Sequence, residues 1–328
     1  MGSLGSVGDG VELKGVLYSI ITLALIAPVV MLALFYAQYS AVESRFLVAG
    51  VVGEELANYA ESIDADFPRA LYVSSYAAVV ACVNHAVSGS EVDDAAARIG
   101  ELAVNGSFDG VPSEIMGGSQ TNNTLSAWVE RLEEKGGAYG LAVDANLDYY
   151  NATPLNHRYL LVNANISVNA SSPGYGIGFV RVYSAQAVVD LEGLEDPLLP
   201  LRTMGAAQRA MHFNTTNVWG VAAFDDAAQN GWYWPSAEGA SFLDRLEGRD
   251  YTSERYAAQS DQVIGIQSIV DVGYLVGQEL PADLNKSVVD NLYFNNTAPS
   301  AWSVAGSGLW WAWLDTETAQ ALGVELEN

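Results

Sequence analysis

The chain has 328 residues, with 39 acidic side chains against 14 basic ones and a formal net charge of −25. Such a surface repels polyanions, and with no basic patch interleaved with aromatics it excludes nucleic-acid binding and disfavours anionic lipid headgroups. Cys82 is the single cysteine, inside the apolar run YAAVVACV. No internal disulfide can therefore form, and a chain of this size builds its core by packing alone.

Residues 1–15, MGSLGSVGDGVELKG, form a leader in which Asp9 and Glu12 outnumber Lys14. Residues 16–37 then run without a charge and leave through Gln38 toward Glu43 and Arg45. At ~1.5 Å per residue this makes a helix of ~33 Å, enough for the ~30 Å hydrocarbon layer, where only a helix satisfies its own backbone. A cleaved secretory signal would need a basic leader, a shorter apolar core and a small-x-small exit, whereas the exit here is Phe35-Tyr36-Ala37-Gln38. Pro28 in mid-run predicts a kink of a kind that lipid-embedded helices tolerate. Beyond the apolar run, Val42, Phe46, Ala49, Gly53, Leu56, Ala60 and Ile63 recur at steps of four and three, the seam of an amphipathic helix. The spacing predicts one helix from the anchor to about Asp64, half in lipid and half packed on a head. An anchor followed by a separate core helix fits the same periodicity.

Further helices are expected over residues 67–88, 91–105 and 125–135, the last with Thr124 as N-cap, and a loop over 106–123, rich in Gly, Ser, Pro and Asn. From residue 138 the period changes to two. Leu141, Val143, Ala145, Leu147 and Tyr149 alternate with polar neighbours, and Val162, Ala164, Ile166 and Val168 alternate with Asn163, Asn165, Ser167 and Asn169, which places those asparagines on a solvent face. A third strand is expected over 176–191. Short helices at 240–247 and 316–322 and strands near Ile264, Val288 and Trp311 complete the chain. The fold class is thus α+β: leader 1–15, transmembrane helix 16–40, helical stem region 41–136, and a mostly antiparallel, β-rich extracellular head over 137–328.

The side of the membrane follows from glycosylation sequons. Asn-x-Ser/Thr occurs at Asn105, Asn122, Asn151, Asn165, Asn169, Asn214, Asn285 and Asn295, against about two expected by chance for 19 asparagines and 38 Ser plus Thr in this length. All eight follow the apolar run, so the head is expected outside the cell and glycosylated.

Residues with the chemistry of an active site do not form a recognisable constellation. His85, His157 and His212 stand in unrelated contexts, and no His or Cys pair has metal-ligand spacing, so neither a metal nor another cofactor is expected. Asp144-x-Asn146-x-Asp148 copies the opening of a calcium loop, but Tyr149 and Leu155 stand where that loop needs glycine and glutamate. Residues 174–178, GYGIG, follow a Ser-Ser-Pro turn rather than a strand, and Ser307 in AGSG lacks the spacing of a nucleophile elbow. The acid pairs Asp225 with Asp226 and Asp250 with Glu254 suit glycoside hydrolysis in type, but such pairs arise freely among 39 acids. The expectation is a protein that is not an enzyme. The tryptophans gather at Trp232 and Trp234 and at Trp302, Trp310, Trp311 and Trp313. Such side chains serve core packing or stack on sugars.

Lys14-Gly15 followed at once by an apolar helix with a mid-span proline and an amphipathic extension resembles the class III signal and stem of archaeal type IV pilin-like proteins. The resemblance implies cleavage between Gly15 and Val16, with the helix kept on the mature subunit and docked among other pilin-like subunits. In the head, EGLEDPL at 192–198, SFLDRLEG at 241–248, Ser287-Val288-Val289-Asp290 and Leu292-Tyr293-Phe294 resemble a largely uncharacterised group of archaeal surface proteins associated with pilus-like secretion machinery. Ile20 stands where bacterial pilins carry a glutamate, five residues into the mature helix, which suits a minor or tip subunit. The resemblance implies a surface protein acting in filament assembly or adhesion, with the membrane and sister subunits as partners; a cell-surface or carbohydrate ligand is a further expected partner, the sugar on account of the clustered tryptophans. The alternatives are a plain single-pass surface protein binding such a ligand, and an anchored hydrolase.

Overall fold

The computed structural model describes residues 9–117, 121–214, 219–295 and 299–327, with the backbone alone at 9–17, 41, 42, 44 and 121. Helix outweighs strand, 47% to 25%, because a single helix, α1 (Asp9–Val87), takes 79 residues and spans ~120 Å. The helices expected up to Asp64 and from Phe67 are therefore one. Pro68 forfeits one main-chain hydrogen bond within it. The helix continues because Ile63, Phe67 and Leu71, four residues apart on one face, are all buried in the same core across that proline. Pro28 likewise lies inside the continuous helix.

The seam starts later than its periodicity implies. Leu56 and Ile63 are buried, Ala49, Gly53 and Ala60 are half-buried, but Phe46 is 75% exposed. The side chain of Val42 lies outside the described residues. Phe46 is thus not packed on the head: a periodic stripe says which side of a helix is apolar, and among the described residues no other element covers the helix there.

Helix α2 (Ala95–Asn105) starts at Asp94, whose carboxylate accepts from the Ala97 N–H. The expected loop after it carries a hairpin of β1 (Ser107–Phe108) and β2 (Val111–Pro112), one turn of α3 (Glu114–Gly117) and β3 (Thr121–Asn122). Thr124 caps α4 (Leu125–Ala138) by accepting from Ala127, as its position implies. Strands β4 (Ala142–Pro154), β5 (Tyr159–Ser172) and β6 (Ile177–Asp190) form an antiparallel sheet with β5 in the centre. Leu160, Val162, Ala164, Ile166, Val168 and Ala170 of β5 are fully buried, and each Leu, Val or Ile among them contributes about 1.5–3 kcal/mol. A bulge between Leu147 and Tyr149 breaks the alternation expected of β4. Tyr149 is left exposed and Tyr150 turns inward, its hydroxyl donating to Ser75 Oγ on α1 at 3.0 Å. Helices α1, α2 and α4 cover the inner face of this sheet and share one core with it, so that core draws on residues from both sides of position 137.

The rest is built of short pieces: α5 (Leu198–Thr203), β7 (His212–Phe213), α6 (Val221–Asn230), β8 (Trp232–Ser241), α7 (Phe242–Leu246), α8 (Glu254–Ala257) and β9 (Gly265–Ser268), then α9 (Val272–Gly277), α10 (Asp290–Tyr293), β10 (Trp302–Val304), β11 (Trp313–Leu314), α11 (Thr316–Leu322) and β12 (Leu326–Glu327). No strand forms at Val288. Its neighbour Val289 makes a lone bridge to Ile269. Strand β8 pairs parallel with β7 and antiparallel with β9, and β10 sits between β11 and β12. Alternation along β8 divides two cores: Tyr233 belongs to the first, while Trp234 belongs to a second built mainly from α6, α9, α10 and α11 with β10 and β11.

Candidate functional site

Three features outside ordinary core packing are candidates. The first is α1 before the head. Among the described residues this is one helix long and apolar enough to cross a membrane. From Tyr18 to Val51 no described side chain is buried, and the exposed ones include Ile20, Leu23, Leu32, Phe35, Tyr39, Phe46 and Leu47. Lys14, Gly15 and Val16 lie in its first turns, where only the backbone is described, and residues 1–8 of the leader lie outside the described residues.

The second is a charged cluster at the centre of the head. Arg245 of α7 is fully buried between two fully buried carboxylates, Nη1 2.7 Å from Asp196 Oδ2 and Nη2 2.5 Å from Asp290 Oδ2. Asp196 also accepts from the Tyr233 hydroxyl and the Leu198 N–H; Asp290 accepts from Ser268 Oγ and N–H and from the Asn291 N–H. The sequence blocks EGLEDPL, SFLDRLEG and SVVD each supply one member of this triad. Desolvation pushes the Asp290 carboxyl up against the opposing pull of Arg245. With both carboxylates saturated and no exposure to solvent, the triad has no open coordination for a substrate. It joins α7, whose flanking leucines lie in the first core, to α10, whose neighbour Val289 lies in the second.

The third is a cleft of about 810 Å³ where β8, the β7 end and α11 meet the turn before β5. Its walls carry His157, Phe213, Trp219, Glu238, Gln267 and Glu317 among others. Trp219 is 64% exposed, an unusual state for indole, yet it is held in place. Gly323, the left-handed C-cap of α11, lies directly under the ring: a Cβ there would stand 2.7 Å from Cζ2 and 2.8 Å from Cδ2 of Trp219. Next to the indole, the Gly220 N–H donates to the Leu322 carbonyl at 2.7 Å. His157 meets Phe213 edge-on at 5.6 Å between centroids, and burial, followed by the Arg158 cation beside it, lowers its pKa below that of an ordinary imidazole. The Arg158 guanidinium is engaged by Asp190 at 2.8 Å and by Glu192 at 3.7 Å.

The remaining sequence candidates are dispersed. Of the sequon asparagines, Asn105, Asn122, Asn169 and Asn285 are exposed and Asn151, Asn165, Asn214 and Asn295 half-buried. Asn151, Asn165 and Asn169 share the outer face of the β4–β5–β6 sheet, the last opposite Asp144, so the calcium-like Asp144 and Asn146 are outer residues of an extended strand. Ser307 donates to Asp225 Oδ1 at 2.6 Å, while His85 stacks on Phe108 and His212 pairs with Glu192. Burial pushes the Cys82 thiol well above its usual range. Trp311 is core and its neighbour Trp310 is 64% exposed, although both lie in the turn before β11 rather than in the strand expected around Trp311. Trp219, outside both tryptophan clusters, escaped sequence reasoning, and the only signal that marks it is a bulky aromatic flanked by Asn217 and Gly220 in a polar segment.

No protein-family model, no curated protein and no solved structure matches the chain.

Proposed function

We propose that the protein is a membrane-anchored, glycosylated, pilin-like surface subunit of the minor or tip type, whose N-terminal helix packs among sister helices while the head is displayed outside the cell in filament assembly or adhesion. The observation that carries this reading is the length over which α1 is apolar and uncovered. Residues 16–37 suffice for the bilayer, yet Tyr39, Phe46, Leu47, Val48 and Val51 remain exposed over the next ~20 Å, before the head begins to cover the helix near Leu56. A plain anchor leaves that stretch in water and needs no large apolar residues there. A helix bundle covers them, and exposed apolar surface of this extent marks an interaction site. The Lys14-Gly15 step supports maturation to Val16. The eight sequons, none buried and all following the helix, support an extracellular head. Ile20 in place of an acid supports a minor subunit.

The test uses the chain recovered from its native membrane. N-terminal sequencing is expected to read Val16 first, and a Phe46→Cys variant, with Cys82 buried and silent, is expected to yield disulfide-linked dimers under mild oxidation. Retention of Met1 would refute the processing, and a strictly monomeric Phe46→Cys protein would refute the packing.

A further inference from the structure

We propose that the cleft beside Trp219 is a binding site for a neutral carbohydrate, with the Trp219 indole as its stacking platform. This site is independent of how α1 assembles. Three observations carry it.

The platform is preorganised. An indole exposed by chance lies on a mobile side chain, whereas Trp219 rests on the bare backbone of Gly323 and is flanked by the Gly220–Leu322 hydrogen bond. Holding an open aromatic face toward a cleft sacrifices hydrophobic free energy that only an occupant restores. Trp310 is equally exposed but does not line the cleft, so it serves as an internal control.

The free polar groups are mostly acceptors. Glu238 and Glu317 make no side-chain hydrogen bond or ion pair among the described residues. Gln267 donates its Nε2 to Asn291 Oδ1 at 3.0 Å, which leaves Oε1 as an acceptor. His157, kept neutral, offers one donor and one acceptor. Opposite this set, a polyol supplies hydroxyl donors in several directions and an apolar C–H face for the indole. Phosphate, sulfate or an acidic sugar would meet two unpaired carboxylates, because the Arg158 cation is already engaged by its own acids.

The aromatic geometry is a single open face rather than a cage. Phe213 and Trp234 also line the cleft but are buried, and the half-buried Tyr159 ring already carries the Arg158 guanidinium at 5.3 Å from its centroid, so a quaternary ammonium would find one free aromatic wall instead of the several that recognise such cations. The volume lies within the ~300–1,000 Å³ of small-ligand sites.

The experiment titrates the full chain in detergent with maltotriose, cellotriose, mannotriose and chitotriose, followed by a neutral-glycan array, reading intrinsic tryptophan fluorescence. Choline chloride and 3′-sialyllactose are the rival probes. Saturable binding of at least one neutral glycan is expected, weakened at least tenfold by Trp219→Ala and unchanged by Trp310→Ala. Glu238→Gln, at an exposed position that leaves the fold intact, is expected to weaken it severalfold. Gly323→Ala, which keeps Trp219 but displaces its seat, is expected to do the same. An absence of neutral-glycan binding by folded protein overturns the proposal. So does tighter binding of choline or the sialylated probe, or an affinity that survives Trp219→Ala.

Discussion

Replacing Arg245 by Met tests the reading of the buried triad as a structural lock. The variant keeps most of the side-chain volume but strands Asp196 and Asp290, both fully buried, without their cation. Breaking a buried pair from one side costs about 3–5 kcal/mol. At ~2–4 °C per kcal/mol for a large domain, the midpoint of thermal unfolding should fall by roughly 6–20 °C. Near-UV circular dichroism of the full chain in detergent reads it, since Trp234 and Trp311 lie in the core that the triad joins. The loss should also depend on pH with a definite sign. The folded-state pKa of Asp290 is raised, so the folded chain holds a proton that the unfolded chain has released, and stability falls as pH rises above the ordinary carboxylate value of ~3.9 through the folded one. Without Arg245 that upward shift grows. The deficit is therefore greatest near neutrality and shrinks on acidification, and adding Asp290→Asn to the variant should recover part of it at neutral pH. A deficit below ~1 kcal/mol, or one independent of pH, would refute the reasoning.

Leu56→Asp places a charge at a site 4% exposed and should destabilise the head by several kcal/mol, whereas Phe46→Asp should leave the melting midpoint unchanged and lower only self-association; equal effects in thermal unfolding would show the boundary on α1 to be misplaced. Gly265→Ala should reduce head stability by about 1–3 kcal/mol in denaturant titration, because a Cβ there runs into the Ser236 and Gly239 carbonyls across the β8–β9 irregularity, and main chain cannot rotate away as a side chain can. Gly50→Ala and Gly53→Ala meet nothing within 4 Å and should each raise helix stability by about 0.5–1 kcal/mol in the isolated chain, with weaker crosslinking of the Phe46→Cys protein in the membrane. Undiminished crosslinking would remove those glycines from the helix–helix contact.

The elements legible from sequence are those whose period survives into the structure. β5 read correctly because its two faces meet different surroundings along its whole length: Val162, Ala164, Ile166 and Val168 face the core shared with α1, Asn163, Asn165 and Asn169 face out. β4 read correctly only to Leu147, since a bulge adds one residue and exchanges the faces of Tyr149 and Tyr150 without any glycine to announce it. The capping threonine of α4 and the limits of α11 were local and therefore visible; the continuity of α1 through Pro68 was not, because it rests on burial of Phe67 and Leu71 against elements distant in sequence. The same limit governs the sites. Asp196, Arg245 and Asp290 stand 49 and 45 residues apart, and the cleft gathers His157, Trp219, Glu238, Gln267 and Glu317 from five separate segments. No spacing rule joins them, whereas the apolar run of α1, being contiguous, could be read at sight.

The two halves of α1 explain one another. After Leu56 the helix is stabilised by a core that neither its propensity nor its length provides; before it, the same helix carries large exposed apolar side chains and, at Gly50 and Gly53, two glycines with nothing within 4 Å of where a Cβ would stand. A glycine in a helix interior costs free energy and a solvated Phe46 or Leu47 forgoes it, so an isolated chain has no physical reason to keep both. In the proposed assembly, close approach of a neighbouring helix would supply the missing compensation for each, since glycines admit a partner backbone and the flanking apolar residues bury against it. On that proposal the head need not contribute to association, and the cleft beside Trp219, which no residue of α1 lines, would stay open in an assembled subunit.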